Sequence, residues 1–212
     1  MEEKNSSNVI NAQLQNWNNF CQYHALGDWY GTWIKYDTEA KVIDKFQCIR
    51  SLYTNADKSV IEHQNHYTYA SGETETKKFG PYKKPLTNAL FLENSFSWGS
   101  DIVKYNSPFG FEIGFEHQER RISVAVLYNR DGKPENITTI SEYLNNFIHT
   151  SNEFVYEKPN DSWQGTLATI GSDLLTEPSK KSLWREIREL TSLDKDYYIF
   201  HFSNGSLWIP GI

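Results

Sequence analysis

The sequence predicts an all-β fold: an up-and-down antiparallel β-barrel led in by one N-terminal helix and followed by a C-terminal β extension. Three observations carry that expectation. The 212 residues are 38% apolar, yet 15% are aromatic, with seven Trp, thirteen Tyr and twelve Phe. Apolar area held in rings suits strands and a ring-lined interior better than a helical bundle. Residues 1–148 break into eight or nine β-prone runs at short spacing, with no crossover helices between them. The series opens with Gly27-Asp28-Trp29-Tyr30-Gly31-Thr32-Trp33-Ile34-Lys35-Tyr36. Gly27 permits a sharp turn into the strand. Trp29 can then plug the narrow end of a barrel, and Gly31, Trp33 and Lys35 follow it on the inward face at period two.

Each element has its own signal. Val9 to Ala25 space Leu14, Trp17, Phe20, Cys21 and His24 or Ala25 three and four apart, which predicts an amphipathic helix lidding one end of the barrel. Thr38-Glu39-Ala40-Lys41 turns the first strand into a second over Val42 to Thr54, which ends at Asn55-Ala56-Asp57-Lys58. The third, Ser59 to Ala70, alternates Ile61, His63, Asn65, Tyr67 and Tyr69 with Val60, Glu62, Gln64, His66 and Thr68. Neither set is greasy, so one face belongs in water while the other lines a wet or polar cavity. Strands follow over Thr74 to Phe79, Ala89 to Glu93, Ser95 to Gly99, Phe109 to His117, Arg120 to Asn129 and Glu135 to Leu144. Gly80-Pro81-Tyr82-Lys83-Lys84-Pro85 makes a rigid loop, and Arg130-Asp131-Gly132-Lys133 a hairpin turn.

Past the barrel of residues 1–148, residues 149–212 read as an extension. Asp161-Ser162-Trp163-Gln164-Gly165-Thr166-Leu167 echoes the stretch around Trp29, as a truncated second unit would. Leu183, Trp184, Ile187 and Leu190 suggest a short helix over Lys180 to Leu190. Asp196 to Phe202 and Ser206 to Ile209 form a hairpin around Ser203-Asn204-Gly205. This unit is expected to pack on the barrel or complete it, and a homodimer through it is left open.

A net charge of −6 and the lack of any basic stripe exclude a nucleic-acid partner and an anionic membrane surface. The lysine pairs 77–78, 83–84 and 180–181 read as solvated loop or edge-strand protection. Cys21 and Cys48 fall at buried positions, as reduced thiols acting as small hydrophobes. The polar start Met1-Glu2-Glu3-Lys4-Asn5-Ser6-Ser7 carries no secretory signal, and no run is apolar enough to span a membrane, so a cytoplasmic location is expected. His63 and His66, three apart on a strand, face opposite sides and cannot share a metal. Neither a metal nor a cofactor is expected, and no nucleophile elbow or phosphate-cradling loop is present.

Trp17-Asn18-Asn19-Phe20, Gly27-Asp28-Trp29-Tyr30-Gly31, Ala89 to Ser97, Phe109 to Phe115 and Arg120 to Tyr128 together resemble a lipocalin-like family of unknown function found mainly in cyanobacteria. The resemblance covers residues 15 to 145. It implies a calycin-type barrel, the group that also holds the lyases attaching bilin chromophores to phycobiliproteins, although no lyase-specific motif stands here. It also implies that Arg121 stacks on or near Trp29 at the closed end. A fold of this kind carries a cavity and not a reaction.

Glu93, Glu112 and Arg121 interrupt apolar strands. Arg121 shares a face with Ser123, Ala125 and Leu127, and Glu112 with Gly114, while Phe111, Ile113 and Phe115 point away. Small residues beside a charge suit a lumen wall, where Arg121 would pair with Glu112 either to fix strand register or to meet the polar end of a ligand. Contact with a ring-bearing molecule is expected at Trp33, Tyr67, Tyr69, Phe91, Phe96, Trp98, Phe111 and Arg121. The leading expectation is binding of a small, largely apolar, ring-containing molecule in the lumen. The alternative is a lyase- or isomerase-type enzyme using His63 or Glu112 for acid–base chemistry, and His63 on the outside of the barrel is the bland counterpart. A third reading docks a protein partner around Trp184 and Trp208.

Overall fold

The computed structural model describes residues 11, 13–86, 88–99, 104, 106–117, 119–148, 164–167, 180–183, 197–202 and 205–210. The chain divides into two units, residues 13–149 and residues 150–212 with 1–12. The first unit is a nine-stranded antiparallel sheet: β1 (Gly27–Tyr36), β2 (Val42–Thr54), β3 (Ile61–Thr68), β4 (Thr74–Lys78), β5 (Ala89–Phe91), β6 (Ser95–Gly99), β7 (Phe109–His117), β8 (Arg120–Tyr128) and β9 (Pro134–Leu144). The order β4-β3-β2-β1-β9-β8-β7-β6-β5 is sequential all the way round, because β1 pairs with β9 from Trp29↔Leu144 to Tyr36↔Ile137. The sheet is therefore an up-and-down array joined first strand to last, with one seam between β4 and β5.

Side-chain contacts show how tightly it rolls. β2 and β7 lie four places apart in the sheet, which laid flat would separate them by roughly 19 Å. Yet Arg50 on β2 donates to Glu112 on β7 at 2.9 Å. The sheet has curled until these strands face each other, giving a curled half-barrel. The sequence leads one to expect full closure; here the seam is left without strand-to-strand pairing among the described residues, and two devices cover it. Beyond β4 the chain keeps company with β3, since Phe79 N–H donates to His63 O and Tyr82 and Ile61 exchange two backbone bonds.

The helix covers the other edge of the seam. It spans residues 13–19 and widens into a π-turn over Phe20–His24, where Ala25 N–H reaches Phe20 O at 2.8 Å. Trp29 Nε1–H donates to His24 O and so occupies one of the carbonyls the helix end leaves free. Asn16 works as a substitute strand: its amide donates to Ala89 O while its carbonyl accepts from Phe91 N–H. Asn19 donates to Phe91 O and His24 Nε2–H to Leu92 O. An edge that would otherwise offer bare backbone to another chain is satisfied from within. The buried stripe is consequently Asn16, Trp17, Phe20, Cys21 and His24, while Leu14, expected inside, is 44% exposed.

The core lies beneath this helix, where Trp17, Phe20, Trp29, Leu52, Ile61 and Phe91 pack together. Phe20 stacks on Phe91 with centroids 3.9 Å apart. Cys21 and Cys48 are free and buried. Gly27 takes a φ of 124°, the left-handed region a turn into β1 requires. In the second unit, β10 (Gln164–Leu167) pairs with β11 (Lys180–Leu183), and β12 (Tyr197–Phe202) with β13 (Gly205–Pro210). Residues 180–183 are thus a strand and not the start of the expected helix: a four-residue segment follows its pairing partner more than its own periodicity. Trp163, residues 184–190 with Trp184, and the 203–204 turn lie outside the described residues.

Candidate functional site

Antiparallel register places opposed residues on one face, so the pairings assign the interior directly. Trp29, Gly31 and Trp33 oppose Arg50, Cys48 and Phe46 on one side and Leu144, Glu142 and Ile140 on the other. Glu142 and Ile140 continue to Arg121 and Ser123, Ala125 opposes Glu112, and Glu112 opposes Trp98. On the far side Leu52, Arg50 and Cys48 lead to His63, Asn65 and Tyr67. The interior thus holds two arginines and several carboxylates among rings.

These charges form a chain. Arg121 gives Glu142 Oε2 two bonds, from Nε at 2.9 Å and Nη2 at 2.7 Å. Arg50 stands between two carboxylates, with Nε 3.2 Å from Glu142 Oε1 and Nη1 2.9 Å from Glu112 Oε1. Ser123 Oγ donates to the same Glu112 oxygen, and Trp33 Nε1–H to Glu142 Oε1. Each guanidinium also lies on an indole, Arg121 at 4.2 Å over Trp29 and Arg50 at 4.8 Å over Trp33. A Cβ at Gly31 would run into the Glu142 side chain, so that glycine is the space the buried carboxylate occupies. The expected partner of Arg121 was Glu112; it is Glu142, and Glu112 belongs to Arg50. The stacking of Arg121 on Trp29 is as the resemblance implied.

Burial opposes the charge of Arg50 and of Glu112 and is overcome at both, whereas at Arg121 burial prevails and lowers the guanidinium from its ordinary range. Arg50 is raised above the ordinary arginine range because Glu112 and Glu142 outweigh its desolvation. Burial likewise works against an ionised Glu112, but Arg50, the Ser123 hydroxyl and Arg121 hold that carboxyl below its usual range. Glu112 is an anion at neutral pH.

Along β3 runs a second, uncharged chain. Tyr82 OH lies 3.0 Å from His63 Nδ1, His63 Nε2 lies 2.9 Å from Asn65 Oδ1, and the Asn65 amide donates to Tyr67 OH at 2.8 Å. Because the Asn65 amide hydrogens go to Tyr67, its carbonyl takes the Nε2 proton and His63 Nδ1 accepts from Tyr82. Burial, then the charge of Arg50, pushes His63 down to about 3, so the ring is neutral with both nitrogens occupied. Burial pushes Tyr67 up to about 12.

Beyond Arg50 the interior turns from dry to half-wet. Trp33, Phe46 and Tyr67 meet edge to face or tilted, with centroids 5.7 to 5.9 Å apart, and Tyr69 joins Phe46 at 5.5 Å. Trp33, Phe46 and Tyr69 are only half-buried. Glu112 is not fully closed off either: its side chain is 17% exposed, against 3% for Arg50.

Of the residues singled out from sequence, Trp33, Tyr67, Tyr69, Trp98, Glu112 and His63 share this inner face. Phe91 and Phe96 face inward too, but in the packed end, where Phe96 neighbours Arg121. Phe111 pairs with Val126 and stacks near Tyr128 on the outer face, so it does not line the interior. Glu93 sits exposed between β5 and β6. His66 is outside, bonded to Thr76. Sequence reasoning missed Arg50, Glu142 and Phe46. Their signal was there: Arg50 recurs at period two with Cys48 and Leu52, and Glu142 with Ile140 and Leu144.

Among the described residues no group of three or more His, Cys, Asp or Glu side chains could hold a metal ion, and no helix is long and apolar enough to cross a membrane. The model of a family described as Domain of unknown function (DUF3598), N-terminal, matches residues 13–147. Among curated proteins there is no match. A crystal structure of a DUF3598-family protein of unknown function from the cyanobacterium Nostoc punctiforme is similar, with a TM-score of 0.54 and 18% identity over 92% of this chain and 79% of that one. At that identity the likeness concerns the fold alone.

Proposed function

The chain belongs to the DUF3598 family of unknown function, and on that footing we propose that its first unit is a lipocalin-like receptacle for a small, largely apolar, ring-containing molecule. The single observation behind this reading is the ring cluster around buried Tyr67, in which Trp33, Phe46 and Tyr69 touch one another or Tyr67 yet stay partly uncovered. A filled core would dry its rings, as happens at the helix-covered end; rings left half-wet on a concave face are what a guest would cover. Trp33, Tyr67, Tyr69 and Trp98 are the expected contacts, with Arg121, Phe91 and Phe96 holding the floor beneath them. The partner is a small apolar or aromatic molecule, with neither nucleic acid nor membrane.

The acid–base alternative is the weaker reading. His63 is neutral at physiological pH, and both its nitrogens are already engaged, so it has no free site from which to take or give a proton. Fluorescence titration with N-phenyl-1-naphthylamine tests the binding reading. Emission is expected to rise on binding and to lose most of that rise in Phe46→Ala. No rise with folded wild-type protein would overturn it.

A further inference from the structure

We propose, resting on the lumen reading above, that the guest presents an N–H or O–H donor to Oε2 of Glu112, and that the interior selects against carboxylates. Among the described residues Glu112 accepts two bonds, from Arg50 Nη1 and Ser123 Oγ, and both arrive at Oε1. Oε2 has no hydrogen-bond partner among the described residues, and the side chain keeps 17% of its surface open to solvent inside the curl. A carboxylate oxygen held as an anion, with no donor on it among the described residues, is a strong acceptor for a guest's N–H or O–H.

The cations, by contrast, are committed. Arg121 makes two bonds to Glu142 and stacks on Trp29. Arg50 is shared by Glu112 and Glu142 and lies on Trp33. Their side chains are 3% exposed or less. Glu116 adds a third inward carboxylate, with His24 Nδ1 3.1 Å from it. An anionic guest would therefore meet more carboxylate than guanidinium and would have to break an existing pair to reach either arginine. At the rim, Lys77 is paired with Glu75 at 3.1 Å, and Lys35 stands beside Asp44 in register.

The geometry also says where the donor sits. Glu112 opposes Trp98 across β6 and Ala125 across β8, so it has a ring on one side and a methyl on the other. A planar guest could lie against Trp98 with its polar edge on Oε2.

Calorimetric titration with three matched probes reads this directly: 2-naphthol, 2-naphthoate and 2-methylnaphthalene, each against wild type and Glu112→Gln. Wild type is expected to bind 2-naphthol about tenfold tighter than the methyl compound, with 2-naphthoate weakest. In Glu112→Gln the naphthol advantage should vanish and naphthoate should gain, since Arg50 loses a counter-charge. The wild-type ranking stands even if the variant does not fold. Equal binding of naphthol and methylnaphthalene, or preference for naphthoate, overturns the donor assignment while leaving the lumen reading intact. No binding by any of the three overturns both.

Discussion

The two ends of the rolled sheet are built from the same strands and differ in what meets their inner face. At one end the helix presses Trp17 and Phe20 onto Phe91, Trp29 and Leu52, and these side chains are buried. At the other end, Trp33, four residues on from Trp29, Phe46, six residues before Leu52, and Tyr69, just past β3, keep part of their surface wet. The charge chain from Arg121 through Glu142 and Arg50 to Glu112 crosses the boundary, with its dry members first and its wet member last. The difference teaches that the sheet supplies a concave wall and the helix decides how much of it is core. Strand periodicity alone leaves both ends equivalent.

Glu142→Ala should break that boundary most severely. It removes the carboxylate both buried arginines share, at a cost of about 3–5 kcal/mol, read as a fall in the urea midpoint at neutral pH. Next comes Phe20→Ala in the dry end. Opening a cavity against Phe91 should cost about 3–4 kcal/mol by the same measurement.

Acid should sharpen the contrast between His63 and the exposed surface. His63 is pushed down from 6.5 to about 3 in the fold, so its unfolded form takes up a proton first. The stability it contributes is complete above pH 6.5 and is lost as pH falls through the window towards 3. About 2 kcal/mol should go between pH 6.5 and pH 5. Below 4.5 the depressed carboxyl of Glu112 adds a loss of the same sign. Urea melts of His63→Gln across that range should be flatter than wild type; an equal slope would show that His63 is not what titrates. Smallest in stability is Phe46→Ala at the wet end. It should cost no more than about 1.5 kcal/mol while lowering affinity for a naphthalene probe about tenfold.

Much of the first unit was legible because its signals are local. The strand over Val42 to Thr54 has the expected bounds, and the run from Ile61 to Tyr69 read as a polar wall because its two faces alternate without grease. Register does the rest of that work: once Trp29 faces inward, period two carries Trp33, Glu112 and Arg121 inward with it. The identity of ion-pair partners was not legible. Arg121 meets Glu142 because β8 neighbours β9, and Arg50 meets Glu112 because the sheet curls. Neither proximity is encoded in the residues' own strands. The seam was hidden for the same reason: Asn16 looks like an ordinary polar helix residue until β5 is placed beside it.

The pairing of β1 with β9 has a consequence for how the protein is made. A nascent chain leaving the ribosome exposes Trp29 long before Leu144 exists to lie beside it. Contacts of such long sequence separation close late and slow folding. Until translation reaches β9, one side of β1 has no neighbour, and a shortened product ending before β9 would display that naked flank to every other such chain in the cell.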